Sequence, residues 1–193
     1  MQLVIISGRS GSGKSTALHQ LEDEGYYCID NLPTSLLPAL VKETASADFS
    51  HFQGTAVCID ARNAWKDLAE FNGVLDSLPE SVETEILFLD AQESTLIKRF
   101  SETRRKHPLS SESLPLAEAI EQEWQLLEPI SSAASLVLDT SQMTIYELRD
   151  AIKQRLLGAS SGSMSILVQS FGFKRGVPAD ADLVFDVRML PNP

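Results

Sequence analysis

Gly8, Gly13, Lys14 and Ser15 stand directly behind the apolar run LVIIS and give the stretch GRSGSGKS, residues 8–15. The spacing is G-x-x-x-x-G-K-[ST], and the chemistry it suits is the holding of phosphate groups. Glycines at 8, 11 and 13 remove Cβ atoms, so the backbone N–H groups of a loop running through Arg9, Ser10 and Ser12 can turn inward. A helix opening at the end of that loop adds the positive end of its dipole. Lys14 then reaches the β- and γ-phosphates as a point charge, and the Ser15 hydroxyl is a ligand for Mg2+.

A magnesium site of this kind needs a carboxylate at the end of a neighbouring strand. Asp60 closes the apolar run TAVCID at the carboxyl edge, where ligands of such sheets collect, and is the first choice; Asp30, in CIDNLP, is the second. Asp90 and Asp139 also end strand-like runs, where helix capping is the commoner job. Arg62 and Asn63 follow Asp60 closely enough to meet a phosphate and a base or ribose, or to form a plain surface turn. Lys98, Arg99, Arg104, Arg105 and Lys106 form a basic stretch in an acidic chain, broken at Pro108, with Arg104 and Arg105 as candidates for a lid over the phosphates. The alternative for them is a solvated helix face. His19, His51 and His107 are too scattered to suggest a metal cluster.

The elements that must carry these groups alternate. Apolar runs at 3–7, 26–30, 55–60, 85–90 and 135–139 suit strands buried on both faces. Between them lie helical patterns in STALHQLEDE, SLLPALVKETA, Ala64 to Leu78, STLIKRFSETRRK, PLAEAIEQEWQLLEPI and IYELRDAIKQRLL. This order predicts an α/β domain, a parallel sheet with helices on both faces, over residues 1–157. Residues 158–164 are small and polar and suit a linker. Residues 165–193 hold two more strand-like runs, SILVQSFGF and ADLVFDVRML, expected to begin a second α/β domain that continues beyond this sequence.

Composition bounds what these parts do. The net charge of −11 over 193 residues argues against this segment gripping a nucleic-acid backbone by itself. Cys28 and Cys58 sit in apolar runs and suit buried thiols. No window approaches a membrane span and no signal peptide leads the chain, so a cytoplasmic location is expected.

Taken together, SGRSGSGKS, EDEGYYCIDNLP, IDARN, LFLDA, RRKHPLS, LEPI, VLDTS and the tail SFGFKRGVPADADLVFDVRMLPNP resemble the RapZ family, also called YvcJ-type nucleotide-binding proteins, along essentially the whole chain. The resemblance implies a kinase-like P-loop domain that binds ATP and GTP and hydrolyses them slowly. It also implies a following domain that binds small regulatory RNA and presents it to RNase E, controlling expression of glucosamine-6-phosphate synthase. Carried onto this sequence, the ATP site falls on Gly8, Arg9, Ser10, Gly11, Ser12, Gly13, Lys14 and Ser15, and the GTP-associated segment on Asp60, Ala61, Arg62 and Asn63. RNA and RNase contacts are expected through sequence beyond residue 193, in a full-length homo-oligomer. A small-molecule kinase of the nucleoside or shikimate type is the rival reading from the residues, and a nucleotide-holding scaffold is a third.

Overall fold

The computed structural model describes residues 1–45, 47–63 and 68–157 and, beyond them, 168–172, 174, 176–178, 181 and 183–186. Five apolar runs form one sheet: β1 (Gln2–Gly8), β2 (Tyr27–Ile29), β3 (Thr55–Cys58), β4 (Glu83–Asp90) and β5 (Leu136–Asp139). Their spatial order is β2-β3-β1-β4-β5, and every pairing is parallel. β1 is central, with Ile5 registered on Val57 of β3 and on Ile86 of β4. All carboxyl ends therefore meet at one edge, and the phosphate loop leaves from the middle of it.

Successive strand residues face opposite sides, so the sheet builds two cores. Leu3, Ile5, Val57, Ile59 and Phe88 pack on one face with α2 (Leu37–Thr44), α3 (Phe71–Asp76) and α5 (Leu116–Ser132). Val4, Ile6, Cys58, Leu87 and Leu89 pack on the other with α1 (Lys14–Asp23) and α6 (Ile145–Ile152). A smaller cluster of Ala91, Leu96 and Ile120 joins α4 (Glu93–Thr103) to α5. Each such buried aliphatic side chain contributes about 1.5–3 kcal/mol of transfer free energy, which holds the strand ends, and so the site, in place.

Several sequence expectations change at this level. α4 stops at Thr103, and Arg104 takes a left-handed conformation (φ 53°), so Arg104, Arg105 and Lys106 lie on the connection after the helix rather than on it. Asp90 and Asp139 cap no helix: Asp90 accepts from Arg9 and from its neighbour Ala91 N–H, and Asp139 accepts from Ser141. The cap of α6 is Thr144, in a reciprocal box with Glu147. Within the helical pattern from Ala64 to Leu78, residues 68–69 and α3 are helical, and residues 64–67 lie outside the described residues, as does the expected linker 158–164. In the two later strand-like runs, the described residues 168–172 and 183–186 form no strand. Among the described residues no helix is long and apolar enough to cross a membrane.

Candidate functional site

The loop after β1 is shaped by its glycines. Gly8, Gly11 and Gly13 all have positive φ (138°, 88° and 111°). At Gly8 an added Cβ would lie 1.9 Å from the Leu89 carbonyl oxygen, so the loop can leave β1 beside β4 only without a side chain there. Lys14 begins α1 and folds back, donating from Nζ to the carbonyls of Gly8 (2.6 Å) and Arg9 (3.1 Å). Ser15 is exposed beside it. The Ser12 hydroxyl is buried without a partner, an unmet donor inside the cradle. That donor, the inward loop, the Lys14 ammonium and the Ser15 hydroxyl fit phosphate oxygens and a hard cation.

A cleft of about 920 Å3 opens over the loop, lined by residues 10–16 together with Asp30, Asp60, Arg62, Arg99, Arg105, Lys106 and the start of α6 at Ile145. Asp60 follows β3, next to β1, where the sequence placed it. It is buried, and Arg62 grips it with Nε (2.9 Å) and Nη2 (2.6 Å) on Oδ2 and with its backbone N–H on Oδ1 (2.9 Å). Burial pushes the Asp60 carboxyl up, but the Arg62 contacts and the Lys14 charge outweigh it and hold the group below the usual carboxylate range. Arg62 also reaches exposed Asp30 at 3.6 Å, so both carboxylate candidates meet around one guanidinium.

Other expected residues serve the frame. Ala61 is buried. Asn63 donates to the Asp60 carbonyl and accepts the Thr34 N–H, which fixes the turn after β3. Arg9 turns away from the cleft: its guanidinium donates to Asp90 Oδ1 (2.6 Å) and the Ala91 carbonyl and lies 5.3 Å from the Trp124 ring centre. Ser10 is buried and spent on Glu123. Of the two lid arginines, Arg105 lines the cleft and Arg104 does not. If Arg105 meets bound phosphate, Arg104→Ala with Arg105→Ala lowers turnover while leaving stability within about 0.5 kcal/mol, the range for exposed positions. Turnover equal to wild type, in a matched thermal melt and rate assay, would return both residues to solvated surface.

Thr140, Glu123 and His107 join the site without having been assigned to it from sequence, and Arg99, named there within the basic stretch, does so as well. Arg99 donates to the Gly11 carbonyl (2.9 Å) and to the Thr140 hydroxyl and carbonyl, and the Thr140 hydroxyl donates to the Ser12 carbonyl (2.8 Å). These contacts tie the loop to α4 and to the end of β5. Cys58 lines the cleft but burial pushes its thiol up to about 12, so it stays protonated and inert.

A glycine loop on the central strand of a 2-3-1-4-5 parallel sheet, with an acid ending the adjacent strand, defines a P-loop kinase-like fold. Solved structures agree: a sugar kinase from Janibacter superposes with TM-score 0.56 at 20% identity, covering 86% of this chain and 99% of its own. A shikimate kinase from Bacteroides thetaiotaomicron gives 0.52 at 14%, covering 81% and 98%. Residues 1–160 match the RapZ-like N-terminal domain and residues 164–193 match the RapZ C-terminal domain. The chain belongs to the RapZ family. A nucleotide-binding protein from Hahella chejuensis is 57% identical over all of this chain and 68% of its own length. A protein from Photorhabdus laumondii named RNase adapter protein RapZ is 53% identical over all of this chain and 67% of its own. The chain thus spans about two thirds of the length of these relatives.

Proposed function

We propose that residues 1–157 bind ATP or GTP at the Gly8–Ser15 loop and hydrolyse it slowly, as the nucleotide-sensing part of a cytoplasmic RNA-regulating adaptor. The observation that carries this reading is the convergence, in one cleft, of the loop, Lys14, the Asp60–Arg62 pair and the cations Arg99 and Arg105. Lys14 and the loop amides from Gly11 onward hold phosphate oxygens, while Ser15 and Asp60 would hold Mg2+, which screens phosphate charge when bound. Asp60, Ala61, Arg62 and Asn63 form the segment that carries a guanine nucleotide in this reading, with Asp60 and Arg62 as its cleft-facing members. The remaining protein, beginning near residue 165 after a linker over 158–164, contributes the small-RNA and RNase E contacts that govern glucosamine-6-phosphate synthase expression, in a homo-oligomer. The Photorhabdus relative's name supports the adaptor part.

The cleft also runs from Ile145 past the loop to Asp30 and Arg62, space that would suit a phosphoryl acceptor in a small-molecule kinase. Incubation with γ-labelled ATP, alone and with a metabolite extract, separates the two: slow release of phosphate alone supports the switch, and a labelled metabolite supports the kinase. RNA separates the parts of the adaptor reading. In filter binding, this chain, with its net charge of −11, leaves small RNA free at low and high salt, while the full-length Photorhabdus relative binds RNA with an affinity that falls steeply as salt rises. Tight binding by this chain would move the RNA surface onto the P-loop domain, with Lys98 to Lys106 as the first place to look.

A further inference from the structure

Glu123 lies on the face of α5 that buries Ala119, Ile120, Leu126, Leu127 and Ile130, and it is 0% exposed. An aliphatic residue would fill that position at lower cost, since a buried charge requires partners on every oxygen. The partners come from outside the helix. Oε1 accepts the Ser10 hydroxyl (2.7 Å), and Oε2 accepts the Ser10 N–H (2.8 Å) and faces His107 Nε2 (3.0 Å). The Leu109 N–H donates to His107 Nδ1 (3.2 Å), which leaves the proton of a neutral ring on Nε2, pointing at Glu123. Burial pushes the Glu123 carboxyl up, but His107, the Lys14 charge and Ser10 outweigh it and hold the carboxyl below its usual range.

The same two residues connect the loop to the basic segment. His107 follows Arg105 and Lys106 and precedes Pro108, all three of which line the cleft. Its ring packs on Phe100 at 5.2 Å, and Phe100 is, with Leu96, one of the two side chains that a Cβ on Gly11 would meet at 3.5 Å. Ser10 is thus held by the carboxylate that also meets the His107 ring, and Gly11 lies beside Phe100, on which that ring packs.

We propose that Glu123 and His107 are positioning residues of the phosphate site, coupling the curl of the loop at Ser10 to the placement of Arg105 and Lys106 over the last phosphate. The proposal rests on the nucleotide-binding reading above. Because Glu123 takes the Ser10 N–H and the Arg9 carbonyl takes the Ser12 N–H, the backbone donors left for phosphate are those of Gly11 and of Gly13 to Ser15. Loop and basic segment then respond together when a triphosphate replaces a diphosphate.

Glu123→Gln keeps the shape but removes the charge on which the donors converge: its NH2 makes the Ser10 hydroxyl turn from donor to acceptor, and the bonds from the Ser10 N–H and His107 fall on one neutral oxygen and weaken. His107→Asn removes the ring that reaches Glu123. The first test uses the nucleotide-free protein. In wild type, the nitrogen spectrum of His107 shows the Nε2–H tautomer; in Glu123→Gln that signature changes, and amide exchange quickens over residues 104–110 although the substitution is on α5. The second compares nucleotides: both variants lose turnover by about tenfold or more while diphosphate affinity stays within about threefold, and the double variant is no worse than the poorer single one. Should Glu123→Gln fail to fold, Ser10→Ala, which deletes one hydroxyl contact, gives the same changes in smaller measure. Unaltered exchange at 104–110, multiplicative single effects, or an equal loss of di- and triphosphate affinity would each overturn the coupling. If wild type binds neither ATP nor GTP, the nucleotide reading fails, whereas the spectrum and exchange still decide whether Glu123 and His107 tie the two segments.

Discussion

Lys14→Ala is expected to lower hydrolysis by about a hundred- to a thousandfold, the range for losing one preorganised charge-stabilising donor, and to weaken triphosphate binding more than diphosphate binding. The ammonium is mostly buried and rests on the Gly8 and Arg9 carbonyls, so it waits at the loop rather than in solvent. Its charge acts on both buried acids of the site, lowering Asp60 and Glu123 together. The remaining loop donors, backbone N–H groups and the Ser12 hydroxyl, survive the substitution, which is why some binding persists. Titration with ATP and ADP alongside a steady-state rate checks the result. Unchanged turnover would remove the loop from the chemistry, and intact RNA regulation by a full-length Lys14→Ala protein would favour a scaffold that merely holds nucleotide.

Asp60→Asn should cut Mg2+-dependent turnover by about tenfold to a hundredfold while leaving nucleotide affinity closer to wild type, because most phosphate contacts belong to the loop. The substitution also removes the charge and one of the two oxygens that Arg62 grips, so the fork weakens and Asp30, at 3.6 Å, is the carboxylate left to Arg62. Rates measured across a magnesium titration should show the loss as a raised metal requirement. A larger effect from Asp30→Asn would move the metal carboxylate from the end of β3 to the end of β2.

What sequence disclosed and what it hid follow from distance along the chain. The phosphate loop is local: eight consecutive residues set the backbone, the charge and the hydroxyl, so their roles could be read directly. Asp60 was reachable because a buried strand must end in a polar residue at the edge where β1 also ends. Asp90 misled for the same reason, since its partner Arg9 lies on a different strand's loop and a strand-end aspartate looks alike in either use. Arg104 was placed on a helix because nothing in its side chain announces a left-handed turn. Glu123 was missed although it left a trace. It sits three positions after Ile120 and four before Leu127, on the apolar stripe of α5, where a carboxylate demands a buried partner. Naming that partner needed the fold, because Ser10 is more than a hundred residues away.

The central position of β1 also fixes the order in which the site is completed as the chain is made. Val4 pairs with Ala56 and Glu85, Thr140 seals the loop at Ser12, and Glu123 seals it at Ser10. The phosphate loop thus leaves the ribosome well before the segments that frame it. At about 5–20 residues per second, the interval between its synthesis and that of Thr140 is on the order of ten seconds. Nucleotide that binds the framed loop stabilises only chains that have already gathered both flanks of the sheet.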